Sequence, residues 1–320
     1  MKPLKMVLVG LLVIFLLGCE KKPEVKPVPP ELMATDPTRP IVIVTQTEAA
    51  TEPSGTEPMA TESEILLEEI KQHTPSDGDF VRIQDYIPDI LVELPYGGTD
   101  NFTGQRVYDF SEPFLRYGTV KKLMQVQEEM KQGGLLLKIW DAFRPTSVQF
   151  VLWDAFPDAT HVSNPEKGFS SHSRGNTVDV TLVDASGTEL TMPTGFDDFT
   201  ELANRDYSDC PQDARANAMM LEQVMTSYGF NAYFGEWWHF TDSQTYPVDE
   251  DFQPTDGTEY YAECNEYISL RQKPDTSAAV ITTIPAGKTF EVLAWYGEFA
   301  MVNYRGVWGY VLRDYIRPVQ

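Results

Sequence analysis

Two short stretches of this chain carry side chains suited to metal-assisted hydrolysis. The first reads Ser170-Ser171-His172-Ser173-Arg174-Gly175-Asn176-Thr177-Val178-Asp179 and the second Glu236-Trp237-Trp238-His239. Together they supply two imidazoles, His172 and His239, one carboxylate, Asp179, and a further carboxylate, Glu236, three residues before the last histidine. A catalytic zinc takes three protein ligands and keeps an open position. Water attacking a carbonyl there needs a base beside it. Two imidazoles and one carboxylate suit a single Zn2+ better than magnesium or calcium. Each fragment alone has an ordinary structural reading, because a histidine among tryptophans is usually packed in a core and a lone aspartate often caps a turn. The pair of fragments is what points to a metal.

The elements that must position these groups follow from local pattern. Val178-Asp179-Val180-Thr181-Leu182-Val183 alternates like a strand, with Asp179 and Thr181 on one face. An aspartate there is costly unless a cation neutralises it. Gly175 permits a tight approach just before that strand. If Trp237 to Phe240 is extended, Trp237 and His239 share a face and Glu236 stands where the strand begins, free to act as base and then as acid. Arg144, in Trp140-Asp141-Ala142-Phe143-Arg144-Pro145, ends an apolar run. Pro145 disfavours helix at Arg144. A guanidinium there is suited to hold an oxyanion, the alternative being a structural salt bridge with Asp141 or another acid. His73 and His161 have no carboxylate at a matching spacing and are left out of the site, His161 being the one expected nearer the cleft.

The stretch around these motifs mixes helical and extended segments. Val120, Leu123, Met124 and Gln127 to Met130 give a helical stripe that Thr119 can cap and Gly133-Gly134 stops. Leu135 to Trp140 reads as a buried strand, Ser147 to Phe156 and Asp213 to Tyr228 as helices, and Phe230 to Phe240 as extended chain. Without a steady βαβ rhythm the fold class is α+β. From residue 258 to 320 the texture changes to short β-rich runs at Ile268–Arg271, Val280–Ile284, Thr289–Trp295, Ala300–Tyr304 and Val307–Leu312, separated by turn residues. This is the pattern of a small all-β barrel. Tyr260, Tyr261, Trp295, Tyr296 and Trp308 could line a groove on it, although in so small a barrel most aromatics are core.

The N-terminus reads as a targeting segment. Lys2 and Lys5 precede the apolar run Met6 to Leu17, too short to span a bilayer comfortably, and Leu16-Leu17-Gly18-Cys19 resembles the bacterial lipobox. Residues 1–18 are thus expected to be a lipoprotein signal peptide, with Cys19 acylated and the protein lipid-anchored outside the cytoplasm. Residues 19–76, rich in Pro, Thr and Glu, are expected to be a disordered tether, with Ile65 to Ile70 as a helical lead-in. The expected domains are 77–250 for the metal-bearing part and 258–320 for the barrel, with the seam near Val248 to Thr258. A net charge of −23 argues against nucleic-acid partners. Cys210 and Cys264 lie in different parts, show no C-x-x-C spacing, and are expected to be buried free thiols.

Ser170 to Leu182, Glu236 to His239 and Asp141 to Pro145 together resemble the VanX-type D-alanyl-D-alanine dipeptidases, zinc D,D-peptidases that share a fold with the Hedgehog signalling domain. Tyr96-Gly97-Gly98-Thr99-Asp100-Asn101-Phe102-Thr103-Gly104 resembles a stretch of the dipeptidase branch, and the likeness spans Phe80 to Asp242. It implies a Hedgehog/D,D-peptidase-like domain with His172, Asp179 and His239 as zinc ligands. It also implies Glu236 as catalytic base, Arg144 as transition-state stabiliser, and Ser170 helping to hold the substrate ammonium group. Thr177 departs mildly from the family, where a small alanine is common. Ile268-Ser269-Leu270-Arg271 and Trp308-Gly309-Tyr310-Val311 resemble bacterial SH3-like domains, which implies a peptidoglycan partner. Dipeptidases of the resistance type act in the cytoplasm, whereas this chain carries an export signal. The implied role is therefore hydrolysis of D-Ala-D-Ala or similar peptides in wall turnover. The alternatives are a D,D-carboxypeptidase acting on stem peptides and a non-catalytic wall-binding zinc protein.

Overall fold

Apolar runs bounded by turns become the strands that hold the motifs. The structure is a computed structural model that describes residues 74–320. The leader, Cys19, the tether up to residue 73, the Ile65 to Ile70 lead-in and His73 lie outside the described residues. In chain order the first part contains β1 (Phe80–Arg82), β2 (Leu91–Val92), β3 (Phe114–Arg116), β4 (Leu135–Asp141), β5 (Thr177–Asp184), β6 (Phe230–Ala232) and β7 (His239–Asp242). Its helices are α1 (Tyr117–Gln132), α2 (Thr146–Ala155) and α3 (Gln212–Ser227). Five strands form one sheet in the order β2-β4-β5-β7-β6, and β1 pairs with β3 separately. Only β2 runs parallel to its neighbour; the other pairs in the sheet are antiparallel.

β5 is central, and every residue from Thr177 to Val183 is buried. Both its faces are covered, so Asp179 and Thr181 point into protein rather than solvent. α1 covers one face through Val120, Leu123, Val126 and Met130, spaced three or four apart. α3 joins the same core through Ala218, Leu221 and Met225. α1 begins earlier than its apolar stripe suggests, at Tyr117, and Thr119 does not cap it. The Thr119 hydroxyl instead donates to Asp242 Oδ2 at 2.8 Å, tying the helix to the end of β7. The expected extended run from Phe230 to Phe240 is broken: β6 and β7 pair as a hairpin, and the segment between them turns.

The C-terminal part is all-β. It contains β8 (Phe252–Pro254), β9 (Glu259–Ala262), β10 (Tyr267–Arg271), β11 (Val280–Pro285), β12 (Thr289–Tyr296), β13 (Phe299–Tyr304), β14 (Val307–Leu312) and β15 (Ile316–Pro318). They follow the order β11-β10-β14-β13-β12-β9-β15, with β8 also on β12. The five long strands sit where the apolar runs stand. The short ones, β8, β9 and β15, carry too little alternation to be seen in sequence. β8 lies inside the stretch that reads as a seam, so the chain has already joined the C-terminal sheet at Phe252.

One apolar cluster spans both parts. Phe80, Phe114 and Phe143 from the first pack with Phe252, Leu293, Phe299, Met301 and Tyr310. Phe80 stacks on Phe252 with ring centroids 3.9 Å apart. Two aromatics expected to line a groove are used here instead. The Tyr296 hydroxyl donates to Asp249 Oδ2 at 2.6 Å, and Trp308 packs against the core of the first part. The described residues, 74–320, group as a single compact unit. Cys210 and Cys264 are free, and both are half-buried rather than buried.

Candidate metal centre

Sheet register brings the two fragments together. Asp179 on β5 is paired directly with His239 on β7 and, on the other side, with Asp141 at the end of β4. His172 arrives from the 3-10 turn Ser171–Arg174, which precedes β5. Ser170 Oγ accepts from the His172 backbone N–H at 3.3 Å and so caps that turn. Gly175 leaves the turn at φ 72°, and a Cβ there would lie 2.3 Å from the Phe80 ring. The tight approach expected at this glycine is real: it lets the loop close onto β1 and point His172 inward.

The donor set fits a cation. His172 Nδ1–H donates to the Ala142 carbonyl at 2.8 Å, which leaves Nε2 as the lone-pair nitrogen. That Nε2 faces Asp179 Oδ2 at 3.4 Å. His239 Nδ1 lies 3.1 Å from Asp179 Oδ1 and 3.3 Å from Glu236 Oε2. One ligand atom from each of His172, Asp179 and His239 falls within 4.8 Å of the others. Asp179 Oδ1 is buried and accepts no well-directed hydrogen bond, since His239 approaches it at ion-pair distance but off-axis. Lone pairs converging in a buried space, with a carboxylate oxygen left over, are what a divalent ion satisfies. Without one, protons take that part. Burial works against a charged His239 ring, but Asp179 and then Glu236 outweigh it and lift it to about 10. Burial likewise opposes charge on Asp179, yet His172 and then His239 hold it well below the usual carboxylate range.

Glu236 reaches the cluster by a route different from the one its sequence suggests. Trp237 and Trp238 form a turn rather than a strand, and both are fully buried. The His239 N–H donates to the Glu236 carbonyl at 3.3 Å, which folds the Glu236 side chain back beside the imidazole. Arg205 holds this turn, donating from Nε to the Tyr233 carbonyl at 2.7 Å and from Nη2 to the His239 carbonyl at 3.1 Å.

Arg144 lies opposite. Its Nε and Nη2 donate to Asp141 Oδ2 at 3.1 and 2.6 Å, and Nη1 donates to Gln149 Oε1 at 3.4 Å. The structural salt bridge with Asp141 is present, and Arg144 also lines the cavity beside the cluster. Burial opposes its charge, but Asp141 foremost keeps it firmly protonated.

The cavity measures about 240 Å³ and is lined by the three cluster residues together with Ser170, Glu236 and Arg144. It also holds residues the motifs do not reveal. Asp197 accepts from the Tyr96 hydroxyl at 2.7 Å, and burial pushes its carboxyl well above the usual range. It lies in a turn-rich stretch, Pro193 to Asp198, with no sequence signal for a site. Phe102 and Phe199 form an aromatic wall on which His161 stacks, 4.9 Å from Phe199. His161 is thus in the cleft wall, as expected, and outside the metal cluster.

Comparisons with known proteins identify relatives of both parts. A family model described as D-Ala-D-Ala dipeptidase matches residues 76–255, and one described as bacterial SH3 domain matches residues 266–317. The chain is 36% identical over 172 residues to a D-alanyl-D-alanine dipeptidase of Escherichia coli, covering 53% of this chain and 89% of the relative. It is 32% identical over 185 residues to the protein of that name in Streptomyces coelicolor, covering 51% and 91%. The corresponding protein of Enterococcus faecium is 28% identical over 181 residues, covering 50% and 90%. These alignments take in nearly the whole of each relative and about half of this chain.

Proposed function

Because the chain belongs to the D-Ala-D-Ala dipeptidase family of metallopeptidases, we propose that it hydrolyses D-Ala-D-Ala or a similarly short D-peptide, using one Zn2+ held by His172, Asp179 and His239. The observation that carries this is the convergence of those three side chains within 4.8 Å, with Glu236 beside them. When bound, zinc supplies Lewis-acid polarisation of the scissile carbonyl and eases ionisation of the attacking water. Glu236 accepts the proton of that water and passes it to the departing amine nitrogen. Arg144 receives the oxyanion: Asp141 and Gln149 fix its guanidinium at the cavity wall. Asp141 orients that guanidinium and is itself held by the Tyr108 hydroxyl at 2.7 Å.

The substrate ammonium goes to Asp197 and Ser170, an acid and a hydroxyl that line the cavity outside the ligand set. A cavity of about 240 Å³ lies below the ~300–1,000 Å³ usual for drug-sized ligands, which favours a dipeptide over a whole stem peptide. We take the five-stranded sheet with its helices as Hedgehog-like, residues 77–250 as the catalytic domain and 258–320 as the SH3-like module. The lipobox-like Leu16 to Cys19 supports placement outside the cytoplasm on a lipid anchor, and the SH3-like module supports a part in peptidoglycan turnover.

The test is a substrate panel read by mass spectrometry, from free D-Ala-D-Ala to a pentapeptide stem, with zinc and with chelator. Free D-Ala from the dipeptide, lost with chelator and restored by zinc, is the expected result. Faster release from the pentapeptide would replace the dipeptidase reading with a D,D-carboxypeptidase, and no release from any substrate would end both.

A further inference from the structure

The loop that carries His172 is held from behind by Arg116 and Asp249, and Asp249 is in turn held by Tyr296 of the SH3-like module. Arg116, the last residue of β3, is buried, and its guanidinium spreads over several segments. Nε donates to the Arg174 carbonyl at 3.0 Å, Nη1 to the Gly78 carbonyl at 2.7 Å, and Nη2 to Asp249 Oδ2 at 3.2 Å. Its flat face lies 3.7 Å over the Phe80 ring. Arg174 is the second residue after His172, within the same 3-10 turn. Asp249 Oδ2 also accepts from the hydroxyl of Tyr296, the last residue of β12, at 2.6 Å. Asp249 additionally donates its backbone N–H to the Ser173 carbonyl at 3.4 Å. A continuous set of polar contacts thus runs from the C-terminal sheet through Asp249 and Arg116 to the turn bearing His172.

The apolar side of the seam reaches the same place. Phe143 stands between Ala142, whose carbonyl orients the His172 ring, and Arg144. Its ring packs on Phe80 at 4.7 Å and on Phe252 at 5.2 Å. Both groups that fix the orientation of His172, the 3-10 turn and the Ala142 carbonyl, are therefore backed by residues in contact with the module.

We propose that Asp249 and Tyr296 are positioning residues for the metal centre, and that the SH3-like module sets metal affinity by clamping Arg116 against the His172 turn. Metal affinity depends on ligands held in place before the ion arrives, and partners behind the ligands typically govern it ~10–100-fold. Asp249 also balances a buried guanidinium, the side chains being 7% and 12% exposed, so its loss leaves that charge uncompensated. Tyr296 keeps the carboxylate turned toward Arg116. The inference rests on the proposed role of His172 as a ligand.

The experiment measures zinc dissociation constants by competition with a chromogenic chelator, alongside thermal unfolding, on the full chain. Tyr296→Phe keeps the ring and folds with it; it is expected to weaken zinc binding several-fold. Asp249→Asn is expected to weaken it ~10–100-fold. The double variant should bind little more weakly than Asp249→Asn alone, because the two act in one chain of contacts. Ile284→Val, in the module's own core and away from the seam, should lower the melting temperature and leave zinc affinity unchanged. Wild-type affinity in both seam variants, or an equal loss in Ile284→Val, overturns the proposal. His172→Ala separates the two levels: if it binds zinc as tightly as wild type, the ligand assignment fails. If it loses zinc while the seam variants do not, only the coupling fails.

Discussion

At Asp179 the demands of burial and of charge collide, and the site resolves them. A carboxylate 3% exposed in a central strand is tolerable only with positive partners, and two imidazoles stand ready on either side. Glu236 differs from it in standing 3.3 Å from one of those imidazoles without joining the three-residue cluster. Glu236→Gln is therefore expected to lower kcat by ~10²–10⁴-fold while zinc content stays at the wild-type level, checked by steady-state kinetics and metal analysis on the same sample. Gly175 carries a different burden. At φ 72°, with the Phe80 ring 2.3 Å from where a Cβ would sit, Gly175→Ala should destabilise the protein by ~1–3 kcal/mol and weaken metal binding, read by denaturant unfolding and chelator competition.

Among the elements, the β5–β7 register and the turn leading into β7 do most to assemble the centre. Pairing of Asp179 with His239 follows from hydrogen-bonded strands, and a slip of one residue would send one of the two to the opposite face. The turn from Tyr233 to His239 depends on Arg205, whose guanidinium also lies 4.5 Å from the Phe240 ring centroid. Removing it leaves two carbonyls of the turn without their charged donor. Arg205→Ala is expected to cost about 2 kcal/mol of stability and to reduce kcat more than zinc affinity, because it loosens Glu236 while the pairing of β5 with β7 remains. Kinetics at saturating zinc, together with chelator competition, would show whether the losses divide in that way.

Among the described residues, the two matched regions pack against each other across one seam. The cluster around Phe80, Phe143 and Phe252 is shared, β8 pairs with β12, and Asp249 joins Tyr296 to Arg116. Calorimetry of the full chain should accordingly show a single cooperative transition for the catalytic region and the SH3-like module. Phe252→Ala, at a side chain fully buried between them, should lower stability by ~3–5 kcal/mol and shift that one transition without splitting it. Two separated transitions in the wild-type protein would show that the seam is only a contact.

The candidate ligand set was legible from residue type and spacing, since His172, Asp179 and His239 come within 4.8 Å of one another. Only a few side chains bind a divalent ion, and His172, Asp179, His239 and Glu236 occur in two fragments whose order and composition leave little other use for them. The long strands and helices were legible for a similar reason, since apolar period reports local burial. The Glu236 turn, the place of Thr119 and the short strands β8, β9 and β15 were not, because each is set by partners far along the chain rather than by neighbours. Asp197 belongs with them: nothing local distinguishes its turn-rich stretch, and in the cavity its carboxyl is held by the hydroxyl of Tyr96, 101 residues away. The sequence by itself determined which groups could hold a metal and move a proton. Tertiary structure alone decided that the C-terminal module would be fused behind them, because a shared apolar cluster and a buried ion pair exist only once both surfaces have formed.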